Sequence, residues 1–412
     1  MPGNIFEVAL GHESLFVERA IFDARHTPSN LPHRNVQIEA MVLNLVDALR
    51  GHIPSNMILY GATGSGKTAV SRHVLNQLSE QASELDRRVH SHEVNCRHIN
   101  TRYRILQSIA TSLEQHGDHT IPFTGWPADR VLTEMLDRME RLGGVHVIVL
   151  DEVDLLTGPS GDSLLYDLTS LNTLLSRARC SLIGISNDLR FVEGLPASVR
   201  SRLAHEDIVF DPYDSAQIHD ILSQRAHKGL QQNVLEQGVL RLCSALAAQE
   251  HGDARRALEL LKASVQKAEH DSSKTVTVAH MRAAQHQLEF DQIGAIIRTL
   301  PLHQKLVLLA VLINERNGLK AVSTGLVCET YRQATKHMRL EPLTNRRISS
   351  LLNDLDQIGL LTARNVSLGR GGRTKLVVSR IPVGINAVKV MVSEDPLLQD
   401  AAEARYRVQG SL

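Results

Sequence analysis

Gly61-Ala62-Thr63-Gly64-Ser65-Gly66-Lys67-Thr68 is the stretch that decides the fold of this 412-residue chain. It follows the pattern G-x-x-x-x-G-K-[ST]. In that pattern glycines let the backbone turn tightly and approach an anion, while successive N–H groups wrap phosphate oxygens at a helix start. The flanks fit. Met57-Ile58-Leu59-Tyr60 reads as a short buried strand, and Thr68 to about Leu85 has helical apolar spacing. Lys67 is expected to neutralise the β- and γ-phosphates of a nucleotide, and Thr68 to hold Mg2+ through its hydroxyl.

Outward from the loop, strands and helices alternate. Further strands are expected at Val89 to Cys96, Val145 to Leu150 and Ser181 to Ile185, and helices at Val36 to Arg50, Tyr103 to Leu113 and Leu164 to Arg177. That rhythm predicts a parallel sheet with helices on both faces, an α/β fold. Val147-Ile148-Val149-Leu150 runs into Asp151-Glu152, an apolar strand ending in two acids. Asp151 would orient magnesium and Glu152 would polarise an attacking water. Asn187, at the end of Gly184-Ile185-Ser186-Asn187-Asp188, is a candidate for touching the γ-phosphate or that water. Tyr213 is a further candidate nucleotide contact. The expected ligands are ATP and ADP with Mg2+, and the expected hydrolysis is slow.

The alternation stops after Ile208-Val209-Phe210. Ser215 to about Ala268 reads as helical, and a short helix is expected at Val278 to Leu288. From Leu300-Pro301 a third unit begins. Its expected helices are Leu302 to Asn314, Thr324 to Met338 and Asn345 to Ile358, followed by two strands around Gly369-Arg370-Gly371-Gly372-Arg373. Three helices and a glycine-turned hairpin make a winged helix-turn-helix. The predicted layout is a loosely ordered N-terminal arm at 1–30, an ATPase core at 31–211, a helical lid at 212–290, a winged-helix domain at 295–392 and a C-terminal tail at 393–412.

Formal net charge is zero, which by itself argues against a nucleic-acid partner, but the charge is unevenly spread. Phe290 to Val390 carries 15 Lys and Arg against 6 Asp and Glu, a net of +9. A basic C-terminal quarter is the footprint of a phosphate-backbone partner. In the third helix of the winged unit, Leu351, Leu352, Leu355 and Ile358 supply the buried face. Asn345, Arg346, Ser349 and Asn353 point away toward a major groove, and Arg347 joins them as a candidate DNA contact. Arg370, Arg373 and Lys375 at the hairpin suit phosphate or minor-groove contacts.

Other classes fall away. No apolar run approaches the ~20 residues that span a bilayer, so no membrane partner is expected. The N-terminus lacks a basic flank followed by an apolar core, so no secretory signal is expected either. Cys96, Cys180, Cys243 and Cys328 are scattered with no CxxC pair, which argues against disulfides and a zinc knuckle. Cys96 and His98 lie close together, but two ligand types alone make no metal site. The expected setting is cytoplasmic and nucleoid-associated.

Taken together the motifs resemble the AAA+ ATPases. Within those, the chain is similar to archaeal replication initiators related to origin recognition complex subunit one and cell division control protein six. The stretches that carry the resemblance are Asn95-Cys96-Arg97-His98-Ile99-Asn100-Thr101, Pro122-Phe123-Thr124-Gly125-Trp126-Pro127, Leu165-Tyr166-Asp167-Leu168, Gly184-Ile185-Ser186-Asn187-Asp188, Gly252-Asp253-Ala254-Arg255-Arg256-Ala257-Leu258 and Leu300-Pro301-Leu302-His303-Gln304-Lys305. The resemblance as a whole runs from about residue 15 to 392, nearly the whole chain.

The resemblance implies that Asn187 is the sensor 1 residue and that Arg255 is the sensor 2 arginine, reaching from the lid onto the γ-phosphate. In Leu195-Pro196-Ala197-Ser198-Val199-Arg200-Ser201-Arg202-Leu203 it implies an arginine finger at Arg202, with Arg200 as the reserve. Many relatives carry arginine where Ser198 stands, a departure that bears on trans-activation. Ser163 to Arg177 corresponds to an extra helix that these initiators press against DNA. The implied function is an ATP-dependent initiator that binds double-stranded origin DNA and recruits or loads the replicative helicase, with other initiator paralogues as further partners. Two alternatives differ in class. A clamp-loader-like ATPase would need a helical collar in place of the basic winged unit. A P-loop signalling switch with a winged-helix brake would usually carry repeats, and no repeat is seen.

Overall fold

The computed structural model describes residues 14–23, 26–367, 373–381, 387–395, 397–404 and 406. The chain divides into two compact units, with the boundary between Met281 and Arg282.

In the first unit five strands pair in parallel. They are β1 (Asn56–Gly61), β2 (Val89–Asn95), β3 (Gly144–Asp151), β4 (Ala178–Ser186) and β5 (His205–Phe210), in the spatial order β2-β3-β4-β1-β5. Strands β3 and β4 are buried along almost their whole length, as parallel strands covered on both faces must be. Period-two alternation splits their side chains between two cores. Met57, Leu59, Val147 and Ile183 meet Met41, Leu45, Val70 and Val74 of α1 (Asn35–Leu49) and α2 (Lys67–Glu84). Ile58, Val94, Ile148 and Leu182 meet Ile105, Met135 and Leu164 of α3 (Arg102–Ser112), α4 (Ala128–Leu142) and α5 (Gly158–Leu174). Register fixes the functional edge. Asn95 pairs with Asp151, Asp151 with Ile185, Tyr60 with Ser186 and Gly61 with Phe210. The carboxyl end of β4 therefore lies between the phosphate loop and Asp151, at the edge where open parallel sheets bind ligands.

Two helices differ from expectation. Helix α4 was not anticipated, although its buried Val131, Met135 and Met139 have helical spacing. Helix α5 starts at Gly158, not Leu164, because Pro159 sits in its first turn, where its missing N–H costs nothing. It ends at Leu174, since Leu175 is already extended. A short helix, α6 (Ala197–Leu203), precedes β5.

The lid consists of α7 (Ser215–Gly229), α8 (Val239–Gln249) and α9 (Ala254–His270). Asp214 and Gln217 form a capping box on α7, and the Asp253 carboxylate caps α9 by accepting from the N–H groups of Arg255 and Arg256. The arm expected to be loosely ordered is packed on this lid from Ser14 onward. Phe16 bridges Leu230, and Phe22 is buried against Gly229. Arg225 Nη1 donates to the Ile21 carbonyl at 3.1 Å, and the Glu269 carboxylate accepts from the Ser14 hydroxyl and the Leu15 N–H. Apolar Leu15, Ile21 and Phe22 drive the docking by leaving water.

Helix α10 (Val278–Thr299) carries the chain into the second unit and runs well beyond the expected end at Leu288. There α11 (Leu302–Arg316), α12 (Thr324–His337) and α13 (Asn345–Gln357) pack with a three-stranded antiparallel sheet. Its order is β6 (Val322–Ser323), β8 (Arg373–Ser379), β7 (Leu361–Ser367), and β6 is a strand beyond the two expected at the hairpin. The core centres on Leu306, Leu309, Tyr331, Ile348, Leu352 and Val377. Two more helices follow, α14 (Ala387–Glu394) and α15 (Leu398–Glu403). Leu398 and Ala401 are fully buried in this core, so the tail expected from residue 393 is a structural part of the winged unit up to α15. Among the described residues no helix is long and apolar enough to cross a membrane.

Candidate functional site

The phosphate loop leaves β1 and enters α2, with left-handed glycines at Gly64 (φ +74°) and Gly66 (φ +95°). A Cβ on Gly66 would sit 2.7 Å from the Tyr213 hydroxyl, and one on Gly64 would sit 1.8 Å from Asp253 Oδ1. The loop is thus packed from behind by the lid segment, and only glycine fits.

Lys67 is buried, and its Nζ donates to the carbonyls of Gly61 (2.7 Å) and Ala62 (2.9 Å) and to Asn187 Oδ1 (3.0 Å). Burial lowers its pKa to about 8, with the neighbouring Arg255 charge adding to the effect. Thr68 Oγ1 donates to the Asp151 carboxylate, 3.2 Å from Oδ2. Burial raises the Asp151 pKa, and the Thr68 hydrogen bond opposes the rise. A hydroxyl and a buried carboxylate side by side are hard oxygen donors of the kind magnesium takes, and a cation there would offset the cost of burying Asp151.

Glu152 follows in the left-handed region at φ +56°, a conformation that costs a non-glycine residue about 1–2 kcal/mol. Its N–H donates to Asp151 Oδ1 at 3.0 Å, and its carboxylate pairs with Arg97 at 3.1 Å. The Asn187 N–H donates to Asp154 Oδ1 at 3.0 Å, which fixes the strand end that presents the Asn187 amide.

The lid supplies the other wall. Arg255 is exposed at the start of α9 and lines a cleft with Gly64, Gly66, Thr68 and Tyr213. Pro28, Asn30 and Leu31 of the arm and Ile221, Gln224 and Leu258 of the lid continue that cleft beyond the loop. Tyr213 is buried, and Arg34 lies over its ring at 3.9 Å from the centroid. The structure thus gathers Gly61 to Thr68, Asp151, Glu152, Asn187, Tyr213 and Arg255 at one edge of the sheet.

Arg202 is not joined to this cluster. Its Nη1 donates to Ser170 Oγ at 3.1 Å and its guanidinium lies over the Tyr166 ring at 4.6 Å, both on α5. Arg200 is exposed on α6.

In the winged unit Thr344 caps α13, accepting from the Arg347 N–H. Asn345, Arg346 and Arg347 are exposed on its first turn and Ser349 is half-buried. Asn345 accepts from Arg332 of α12, and Lys375 of β8 donates to Asn353 of α13. Arg373 opens β8, and Arg370 lies outside the described residues.

Sequence reasoning missed Arg34, Arg97, Asp154 and Asp253. Only Asp253 left a local signal, an Asp one residue before a helix start. All four Cys residues are buried, and among the described residues no cluster could hold a metal through His, Cys, Asp and Glu alone.

Three family models match the chain. The AAA domain model covers residues 52–191, the Cdc6 AAA+ ATPase-type lid domain 219–286, and the CDC6 C-terminal winged helix domain 295–389. The ORC1-type DNA replication protein of Pyrococcus abyssi is 43% identical over 375 residues, 90% of this chain and 89% of that one. ORC1-type DNA replication protein 1 of Methanosarcina acetivorans is 42% identical over 396 residues, 95% of this chain and 94% of that one. The solved structure of the Aeropyrum pernix ORC1 protein in complex with DNA matches with a TM-score of 0.80 and 41% identity, covering 94% of this chain and 99% of that one.

Proposed function

Because the chain belongs to the ORC1-type DNA replication proteins, AAA+ ATPases with a Cdc6 lid and winged helix, we propose that it is an ATP-controlled initiator that binds double-stranded origin DNA through both units and helps recruit or load the replicative helicase. The observation that carries this reading is the lid seated on the phosphate loop, Asp253 against Gly64, in a chain whose other unit presents basic residues on a capped helix. Nucleotide held under the lid would set the lid's position, and hydrolysis would be weak and act as a switch. The Aeropyrum pernix ORC1 protein was solved in complex with DNA, which supports a DNA partner here.

In this reading the loop N–H groups and Lys67 bind the β- and γ-phosphates, and Tyr213 backs the loop. Thr68 and Asp151 would hold Mg2+, which when bound supplies charge neutralisation at the phosphates. Glu152 orients and polarises the attacking water, and Asn187 positions it or the γ-phosphate from the neighbouring strand. Arg255 reaches the γ-phosphate from the lid, and Arg202 or Arg200 serves a neighbouring copy. For Arg202 that role requires it to leave Ser170 and Tyr166. Asn345, Arg346, Arg347 and Ser349 read a major groove, while Arg370, Arg373 and Lys375 contact the backbone or minor groove. Cytoplasmic, nucleoid-associated residence and partnership with paralogous initiators complete the proposal.

Footprinting on origin DNA with and without ATP tests it. Protection of defined sites is expected. No protection beyond that on random sequence at physiological salt would overturn the reading.

A further inference from the structure

Arg34 lies behind the phosphate loop, only 4% exposed, yet among the described residues no carboxylate pairs with it. Buried guanidinium groups normally face carboxylates, since an unpaired charge inside a protein is costly. Here the charge is spread over a bridge. Nε donates to the Ser65 carbonyl at 2.9 Å and to the Tyr213 hydroxyl at 3.0 Å, and Nη2 donates to the Asp211 carbonyl at 2.6 Å. The plane also lies over the rings of Tyr213 (3.9 Å) and Phe210 (5.5 Å).

The two ends of the bridge differ in kind. Ser65 is part of the phosphate loop. A trans peptide points its C=O and N–H in opposite directions, so holding the Ser65 carbonyl toward Arg34 turns the Gly66 N–H into the loop. Asp211 and Tyr213 form the link between β5 and lid helix α7, and a Cβ on Gly252, beside the lid cap, would sit 2.4 Å from the Tyr213 carbonyl. One rigid fork therefore fixes the orientation of a phosphate-binding peptide and grips the lid hinge. Lysine carries its donors on one nitrogen at the end of a flexible stem and lacks the planar fork that holds both ends in one geometry.

We propose that Arg34 is the positioning residue that couples the phosphate loop to the lid hinge, so that γ-phosphate drawn into the loop sets the lid position through Ser65, Arg34 and Asp211. This rests on the ATP-switch reading above.

The test uses the full chain with spin labels at Glu80→Cys on α2 and Gln249→Cys on α8, both exposed. The four native cysteines are buried, which favours labelling at the introduced sites. Inter-label distances are measured with no nucleotide, with saturating ADP and with saturating ATP, alongside affinities for fluorescent ATP and ADP analogues. With Arg34 intact the distance should shift on ATP. Arg34→Lys should lose that shift even at saturating ATP and should lose about tenfold in its preference for ATP over ADP, the scale of a typical coupling. A role in folding alone would lower the melting temperature and leave the shift in place. A full shift in Arg34→Lys would overturn the proposal. If Arg34→Lys does not fold, Tyr213→Phe, which keeps the ring and removes one acceptor, should show a reduced shift, and an unchanged one would overturn it. No ATP-dependent shift with Arg34 intact would instead overturn the switch reading, and the proposal with it.

Discussion

Arg97 Nε stands 3.1 Å from Glu152 Oε2, so the carboxylate assigned to the attacking water is held by a side chain that is 68% exposed. An exposed pair of this kind is worth at most about 1 kcal/mol, or about fivefold in rate. Arg97→Ala should therefore raise steady-state phosphate release by two- to fivefold by freeing Glu152. An unchanged or lower rate would show that the pair does not restrain the carboxylate.

Lys67→Ala should abolish nucleotide binding, since the loop loses its buried cation, whereas Glu152→Gln should keep ATP and stall its hydrolysis. Titration with a fluorescent ATP analogue and single-turnover hydrolysis separate the two. Retained affinity in the first variant would refute the loop assignment, and retained turnover in the second would refute the role of Glu152.

Gly64→Ala should reduce ATP affinity by about tenfold or more, because it strains a left-handed position and drives a methyl into Asp253. Asp253→Ala should cost about 1 kcal/mol of stability through the lost cap of α9. Calorimetric titration and thermal unfolding read these effects. A Gly64→Ala protein that binds normally would mean that the lid does not rest on the loop.

His92 and His146, on β2 and β3, share a hydrogen bond of 3.2 Å, and His146 is fully buried with its Nε2 unpartnered. Burial pushes His92 down to about 4 and His146 to about 3, from an ordinary value of 6.5. The unfolded chain thus binds more protons below 6.5, and stability must fall as pH drops from there toward 4. Between pH 7 and pH 5 each histidine should cost about 2 kcal/mol, measured by urea unfolding. His146→Leu should lose distinctly less stability over that interval. An equal loss would assign the acid sensitivity to other groups.

Arg346→Ala should weaken DNA binding and flatten the plot of log affinity against log salt by about one unit if the arginine meets a phosphate. If it meets a base edge, the slope should hold while discrimination at one position falls by about 1–3 kcal/mol. Fluorescence anisotropy over a salt series distinguishes these. No change in either quantity would remove Arg346 from the interface.

The phosphate loop is readable because strand, glycine turn and helix are contiguous, and β3 is readable because an apolar run ending in Asp151 and Glu152 is a local pattern. The sheet follows from the alternation of such segments. Arg34 has no comparable signature. Its partners lie 31, 177 and 179 residues away, and nothing near Arg34 in sequence names them. Arg97 likewise acquires its meaning only when β2 is set beside β3. Helix α15 looks like a tail because it is short and stands after a break, and only the closed core around Leu398 gives it a structural role.

The docking of the arm on the lid has a consequence for how the protein is made. Ser14 and Leu15 meet Glu269, and Asp23 meets Lys262, across 239 to 255 residues. At ribosomal speeds of about 5–20 residues per second, the arm leaves the exit tunnel roughly ten to fifty seconds before its partners exist. During that interval Ile21 and Phe22 have no surface to cover them. The far wall of the nucleotide cleft, formed by the lid, is thus the last part of it to be built.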